Sequence, residues 1–392
     1  MSVLRTGSAE EAGLRPERLE VARQLLHKHV ASARTPTLVA AVARNGVIAF
    51  SEAFGQQDPD GPPAHVDHIL PIASLTKPIT ATLIMCLVED GEVGINNRVT
   101  DYIPELTAGD NDEVLVHHLL THTHGWDEAA LLERTAQRLA AGELGPVPED
   151  GDVLKHFFIN PGWDAPRTYA AGEVMDYGNY SYQLLGDIIA RVSGTSVDVF
   201  ARERLFGPLG MTSTTYVVTD EMRPRLLHRP PGIPLGPDQE DSFEGPHWEA
   251  TQHGAAGVYS NAADLLVFGQ MILDGGTYGS ARILSRPTVE KMTSDRIPGT
   301  PALLGEIRQP DSGYGYGWLV RNHIAWRYFG GGLVPAGSIS HPGAGGTGFW
   351  IDRDHALVGF CAEFVTEMSV NNEPFSWVEN RFEDVITSAI AD

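Results

Sequence analysis

Two apolar, β-rich runs, 38–44 and 47–50, meet at Asn45-Gly46. Asn-Gly supplies the left-handed pair of residues that a tight two-residue turn demands, so the segment reads as a β-hairpin. Strand-like patterning returns near the other end of the chain, at 314–320, 325–329, 348–351 and 356–364. Asp352, Arg353, Asp354 and His355 form the turn between the last two runs. Helical spacing marks 16–31 (Leu19, Ala22, Leu25, Leu26, Val30) and 74–90 (Ile79, Leu83, Ile84, Leu87, Val88), the latter stopped by Gly91. Further helices are expected at 182–192, closed by Gly194, at 262–274 and at 376–390. Strand-rich ends therefore enclose a helix-rich middle.

The simplest architecture is α+β: an antiparallel sheet flanked by helices, plus a mainly helical domain. Residues 1–92 and 256–392 would form the sheet domain and 93–255 the inserted helical one, with 223–247 as a surface excursion rich in proline and charge. An active site is expected in the cleft between the two parts. The 392 residues are ample for a large core, and no apolar run reaches the ~18 residues of a membrane span. Glu10 and Glu11 near the start argue against a secretory signal, so a cytoplasmic location is expected. Asp and Glu total 51 against 28 Lys and Arg, a net charge of −23 that repels nucleic acid and anionic membranes. Cys86 and Cys361 lie in apolar segments and read as buried free thiols.

The chain uses only four lysines: Lys28, Lys77, Lys155 and Lys291. Lys77 alone has a serine three residues before it, Ser74, and its surroundings are apolar. On a helix those positions share a face. A serine hydroxyl is a weak nucleophile until a base takes its proton, and a desolvated lysine becomes a neutral amine. Tyr177-Gly178-Asn179 places a phenol and an amide on one side of an extended segment just ahead of a helix. Farther on, His341-Pro342-Gly343-Ala344 opens a glycine-rich strand where another backbone or a ligand can approach closely.

Together these segments resemble the serine β-lactamase and penicillin-binding-protein superfamily, most closely its class C β-lactamases and family VIII carboxylesterases. Ser74-Leu75-Thr76-Lys77 matches Ser-x-x-Lys, Tyr177-Gly178-Asn179 matches Tyr-x-Asn, and His341-Pro342-Gly343 stands at the Lys-Thr-Gly position. Residues 119–125, 208–211 and 257–260 also match, so the resemblance covers about 12–365. It implies a β-lactamase-like fold and acyl transfer without a cofactor. Ser74 would attack the carbonyl, and Tyr177, held near Lys77, would act as base. The amides of Ser74 and Ala344 would form the oxyanion hole. Asn179 would orient Lys77 and the acyl group, and His341 would donate toward the Tyr177 oxygen. Trp126, Trp350 and Phe349 are candidates for a substrate pocket.

The third motif lacks Lys and Thr, which removes the polar anchor for a β-lactam carboxylate and favours hydrolysis of esters with small acyl groups. An amidase or D-aminopeptidase, a β-lactamase or an acyltransferase could use the same site, and a catalytically silent binding protein is the non-enzymatic alternative. His117, His118, His122 and His124 lack a carboxylate partner in metal-ligand spacing, so no metal is expected. Gly343, Gly345 and Gly348 fit a dinucleotide fingerprint by letter, but strand-like residues follow where a helix is required.

Overall fold

A computed structural model describes residues 3–32, 35–57, 61–106, 108–145, 155–228, 251–304, 307–322, 330–364 and 378–391. Its elements, in chain order, are β1 (Arg5–Thr6), α1 (Pro16–Ala31), β2 (Thr37–Arg44), β3 (Val47–Gly55), α2 (Thr76–Glu89), α3 (Glu128–Ala140), β4 (Met175–Asp176), α4 (Tyr180–Ser193), α5 (Ala262–Leu273), β5 (Ala302–Leu304), β6 (Ile307–Gln309), β7 (Leu319–Val320), β8 (Ile339–Gly343), β9 (Thr347–Asp352), β10 (Leu357–Glu363) and α6 (Glu379–Thr387), with shorter turns between them. Seven strands form one sheet in the order β1-β3-β2-β10-β9-β8-β7, antiparallel except for the short β1–β3 pair. The β2–β3 hairpin turns at Asn45-Gly46 with both residues at positive φ, and joins the C-terminal strands directly through the β2–β10 pair.

Alternation along the strands builds two cores. Val39, Ala41 and Ala43 of β2, with Phe349 and Ile351 of β9, face α2, α5 and the helical middle. Leu38, Ala40, Val42 and Trp350 face the other way, onto Leu19, Ala22 and Leu26 of α1 and Phe382 and Ile386 of α6. Because β2 is covered on both faces, it reads as an unbroken apolar run. Helix α2 is enclosed on nearly every side, which explains why its sequence is apolar all round. Its few hydroxyls are satisfied locally: Thr80 donates to the Gly254 carbonyl at 2.6 Å and Thr82 to that of Pro78 at 2.8 Å. Cys86 and Cys361 are buried free thiols, as expected.

Two strand readings need correction or lie out of view. Within 314–320 only Leu319–Val320 joins the sheet, because Gly313 and Gly317 take positive φ and fold the segment into a turn. The 325–329 run lies outside the described residues, as does most of the 223–247 excursion. Strand β8 carries Pro342 within the segment expected as a glycine-rich strand. Strand β7 pairs only with Ile339 and Ser340, so Pro342 lies on an open edge where a missing N–H is tolerated.

The C-terminal helix docks through buried acids. Glu363 of β10 accepts the Val378 N–H at 2.7 Å and pairs with His29 of α1. Glu383 accepts the Gly331 N–H and lies buried near Glu379. Burial pushes both carboxyls up, Glu383 to about 7, and the neighbouring charges of Glu383 and Glu363 raise Glu379 further. A carboxyl raised in the folded state favours folding below its ordinary range, and that contribution disappears as pH rises through the folded value. Stability is therefore expected to fall between about pH 4.5 and 7. Glu383→Gln should remove a share of that slope on the order of 2 kcal/mol, read by denaturant unfolding across the interval. An unchanged slope would contradict the raised Glu383 carboxyl.

Candidate active site

The Ser74 hydroxyl owes its place to a strained turn. Ser74 lies in the 3-10 turn Ala73–Leu75, one step ahead of α2 rather than on it. Ala73 takes φ +46°, a left-handed conformation that a non-glycine residue holds only when its surroundings enforce it. Those surroundings are visible. Ile72 N–H donates to the Val258 carbonyl at 3.0 Å, and the Thr76 hydroxyl accepts the Val258 N–H at 3.1 Å. Leu70 and Pro71 pair with Ser260 and Tyr259. From the sheet side, Gly343 at the end of β8 comes so close that an added Cβ would lie 2.6 Å from the Ile72 carbonyl oxygen and overlap the Thr347 hydroxyl. Only glycine permits this approach, which brings the start of the 344–346 segment beside the Ser74 turn.

Lys77 is fully buried. Its Nζ lies 3.0 Å from Ser74 Oγ, 2.9 Å from Asn179 Oδ1 and 3.3 Å from the Ala255 carbonyl oxygen. Desolvation pulls its pKa down to about 7, against a weaker opposing pull from Glu128. The partner set suits a neutral amine. Asn179 Oδ1 and the Ala255 carbonyl only accept, so they take the two N–H groups and leave the lone pair for the Ser74 hydroxyl.

Ser74 favours the ionised form of the Tyr177 phenol, and the Tyr177 ring centroid lies 4.7 Å from Lys77 Nζ. Burial pushes its phenol well above the usual tyrosine range. Behind Tyr177 stands a layer of neutral rings. His122 packs at 4.6 Å from Tyr177, 5.0 Å from Tyr182 and 5.2 Å from Tyr314. Its own φ is +57°, its Nδ1 accepts the Gly178 N–H at 3.4 Å, and its carbonyl accepts the Asp176 N–H at 2.8 Å. His122 thus fixes the backbone on both sides of Tyr177. Sequence reasoning noted the 119–125 segment but not this task, which only the fold reveals. Glu128 was also missed. Its Oε2 accepts the Tyr180 N–H at 3.0 Å at the start of α4 and occupies the space a side chain at position 178 would need.

Several expected roles change. His341 is fully buried, and burial with the nearby Lys77 drives its pKa down to about 3, so it is neutral. Its ring nitrogens face the Pro342 carbonyl at 2.7 Å and the Tyr314 hydroxyl at 3.4 Å, not the Tyr177 oxygen. Trp350 does not line a pocket. It is one residue out of phase with Phe349, points to the opposite face of the sheet and packs against Phe382 at 5.9 Å. Phe349 itself is buried against Phe268 and Trp318. Trp126 is interior too: it stacks on His124 at 5.3 Å and donates to the Ala165 carbonyl at 3.3 Å. Among the described residues no group of three or more His, Cys, Asp or Glu side chains is arranged to hold a metal.

Known proteins resemble this chain in sequence and in fold. The family model described as Beta-lactamase matches residues 22–368. Esterase EstB of Burkholderia gladioli is 29% identical over 337 residues, covering 80% of this chain and 82% of the relative. Penicillin-binding protein 4 of Amycolatopsis lactamdurans is 26% identical over 314 residues, covering 77% and 76%. Among solved structures, EstCE1, described as a hydrolase with promiscuous acyltransferase activity, superposes with a TM-score of 0.72 at 18% identity, covering 96% of this chain and 98% of its own. The chain belongs to the Beta-lactamase family.

Proposed function

We propose that this protein is a serine hydrolase that cleaves carboxylic esters through an acyl-enzyme on Ser74. One observation carries the reading: a buried lysine, its pKa drawn to about 7, lies 3.0 Å from the Ser74 oxygen with both of its other partners acceptors. In this reading Lys77, not Tyr177, takes the Ser74 proton, since the phenol is pushed away from neutrality and the amine toward it. The Ser74 Oγ–carbonyl bond forms, and the oxyanion turns to the amides of Ser74 and Ala344. The bond to the leaving oxygen then breaks. The proton held by Lys77 passes to the departing alkoxide, with Tyr177 as the relay beside Ser74. Water repeats the sequence, breaks the Ser74–acyl bond and releases the acid.

The ester preference is supported by the charge at the third motif. A neutral His341 and a hydroxyl-free Pro342 offer no cation to a β-lactam carboxylate. The esterase name of the Burkholderia gladioli relative points the same way.

Paired assays on p-nitrophenyl acetate and a chromogenic cephalosporin test this. Ester turnover should disappear in Ser74→Ala, and a fluorophosphonate should add its mass to the peptide that carries Ser74. Labelling elsewhere, or turnover dominated by the lactam, would overturn the reading. The pH profile of kcat/KM should rise through a single ionisation near 7, as Lys77 loses its proton. Lys77→Ala should abolish that limb and lower kcat about a hundredfold or more. Tyr177→Phe should lower kcat by a similar factor of about a hundred while the limb near 7 persists. Loss of the limb in Tyr177→Phe would return the base role to the phenol.

A further inference from the structure

Asn179 stands at the start of a helix that it does not cap. It is the residue just ahead of α4, where an asparagine side chain ordinarily accepts a backbone N–H of the first turn. That bond is not made. Asn179 Oδ1 accepts from Lys77 Nζ instead, at 2.9 Å. The hydrogen bond to the start of α4 comes from another helix. Glu128, the first residue of α3, accepts the Tyr180 N–H at 3.0 Å through Oε2. It is free to do so because Asp127 caps α3, accepting the Ala130 N–H at 3.0 Å. The Glu128 charge also meets the positive end of α4.

Gly178 makes room for this carboxylate. Its φ is not positive, so the backbone at 178 could carry a side chain without strain. The space could not hold one. An added Cβ would lie 2.6 Å from Glu128 Oε2, 3.2 Å from its Cδ and 3.3 Å from its Cβ, and these are the three nearest atoms. The glycine between Tyr177 and Asn179 and the glutamate on α3 are therefore two halves of one arrangement.

We propose that Glu128 is a positioning residue for the Ser74–Lys77 pair: by capping α4 in place of Asn179, it frees the Asn179 oxygen to orient the Lys77 amine. This inference rests on the acyl-enzyme reading given above. Without Glu128, the Asn179 oxygen faces two claims, from the Lys77 amine and from the uncapped amides of α4. When it turns to the helix, the amine loses one of the two acceptors that aim its lone pair at Ser74. The carboxylate acts through its charge as well. The ionisable groups around it are Lys77 of α2, Asp127 beside it, Asp176 of β4, Tyr177, Tyr180, and the neutral His122 behind Gly178. Its charge favours the protonated amine, so its removal lowers the Lys77 pKa below the value of about 7.

Exchange of the two halves tests this on p-nitrophenyl acetate. Glu128→Ala should lower kcat about tenfold with KM little changed. Gly178→Asp alone collides with Glu128 and should lose a similar factor of about ten. In Glu128→Ala/Gly178→Asp the new carboxylate enters the freed space and accepts the N–H two residues on, as aspartate does in turns, so kcat should return to within about threefold of wild type. Glu128→Gln keeps an acceptor for Tyr180 without the charge, so kcat should hold within about threefold while the kcat/KM limb moves to lower pH by about half a unit. Losses that multiply in the double variant, full kcat in Glu128→Ala, or an unmoved limb in Glu128→Gln would overturn the inference. Absence of Ser74-dependent turnover in wild type would instead remove the acyl-enzyme reading. Lys77 is then read directly by NMR, since a chain with four lysines gives few signals from 13C-labelled lysine. Its titration midpoint should fall in Glu128→Ala and return in the double variant. One midpoint in all three proteins would overturn the role of Glu128.

Discussion

The desolvation of Lys77 is the interaction on which the site depends. A lysine held in water keeps its proton at neutral pH and offers nothing to Ser74. Helix α2 removes that water by being buried on nearly every side, between the sheet and the helical middle of the chain. The cost of burying an amine is limited because the group has three polar partners and can stay neutral. Packing that at first looks purely structural therefore sets the chemistry. The apolar sequence of α2 forms a core and also lowers the pKa of the amine beside Ser74.

The same burial silences the other titratable groups nearby. His122, His124, His253 and His341 are all driven toward the neutral form by desolvation. Tyr177, Tyr182 and Tyr314 are all driven toward the protonated phenol. The rings can then pack closely around the amine without competing for its proton. Glu128 opposes the trend, since its carboxylate at the start of α4 pulls the Lys77 proton back. A site crowded with ionisable side chains thus leaves the Lys77 amine poised near neutrality.

Much of this was legible in the sequence, for reasons that differ by residue. The hairpin at Asn45-Gly46 was readable because its turn chemistry is local. Helix α1 was readable because Leu19, Ala22 and Leu26 repeat at helical spacing over one buried face. Ser74 and Lys77 stood out by their offset and by the scarcity of lysine. What stayed hidden depends on contacts made across long stretches of chain. His341 meets Tyr314 only because β8 runs beside the turn before β7, and His122 meets Tyr177 only once Asp176 is tied to its carbonyl. Which of Trp350 and Phe349 faces the side of Ser74 cannot be assigned until the register of β9 is known.

That register also explains how a chain lacking the usual third-motif lysine can retain the arrangement around Ser74. Position 341 stands opposite Phe349 on the inner face, within reach of the aromatic layer around Tyr177. A cation there would lie near Lys77 and add to the burial that already lowers its pKa. A neutral histidine, fixed between the Pro342 carbonyl and Tyr314, fills the same space without that charge. The strand still delivers what its backbone must supply: Gly343 against Ile72, and the chain turning beside Ser74. Backbone placement and side-chain charge are separable at this position. The first is enforced by a glycine that admits no substitute, and the second is open to whatever the substrate requires.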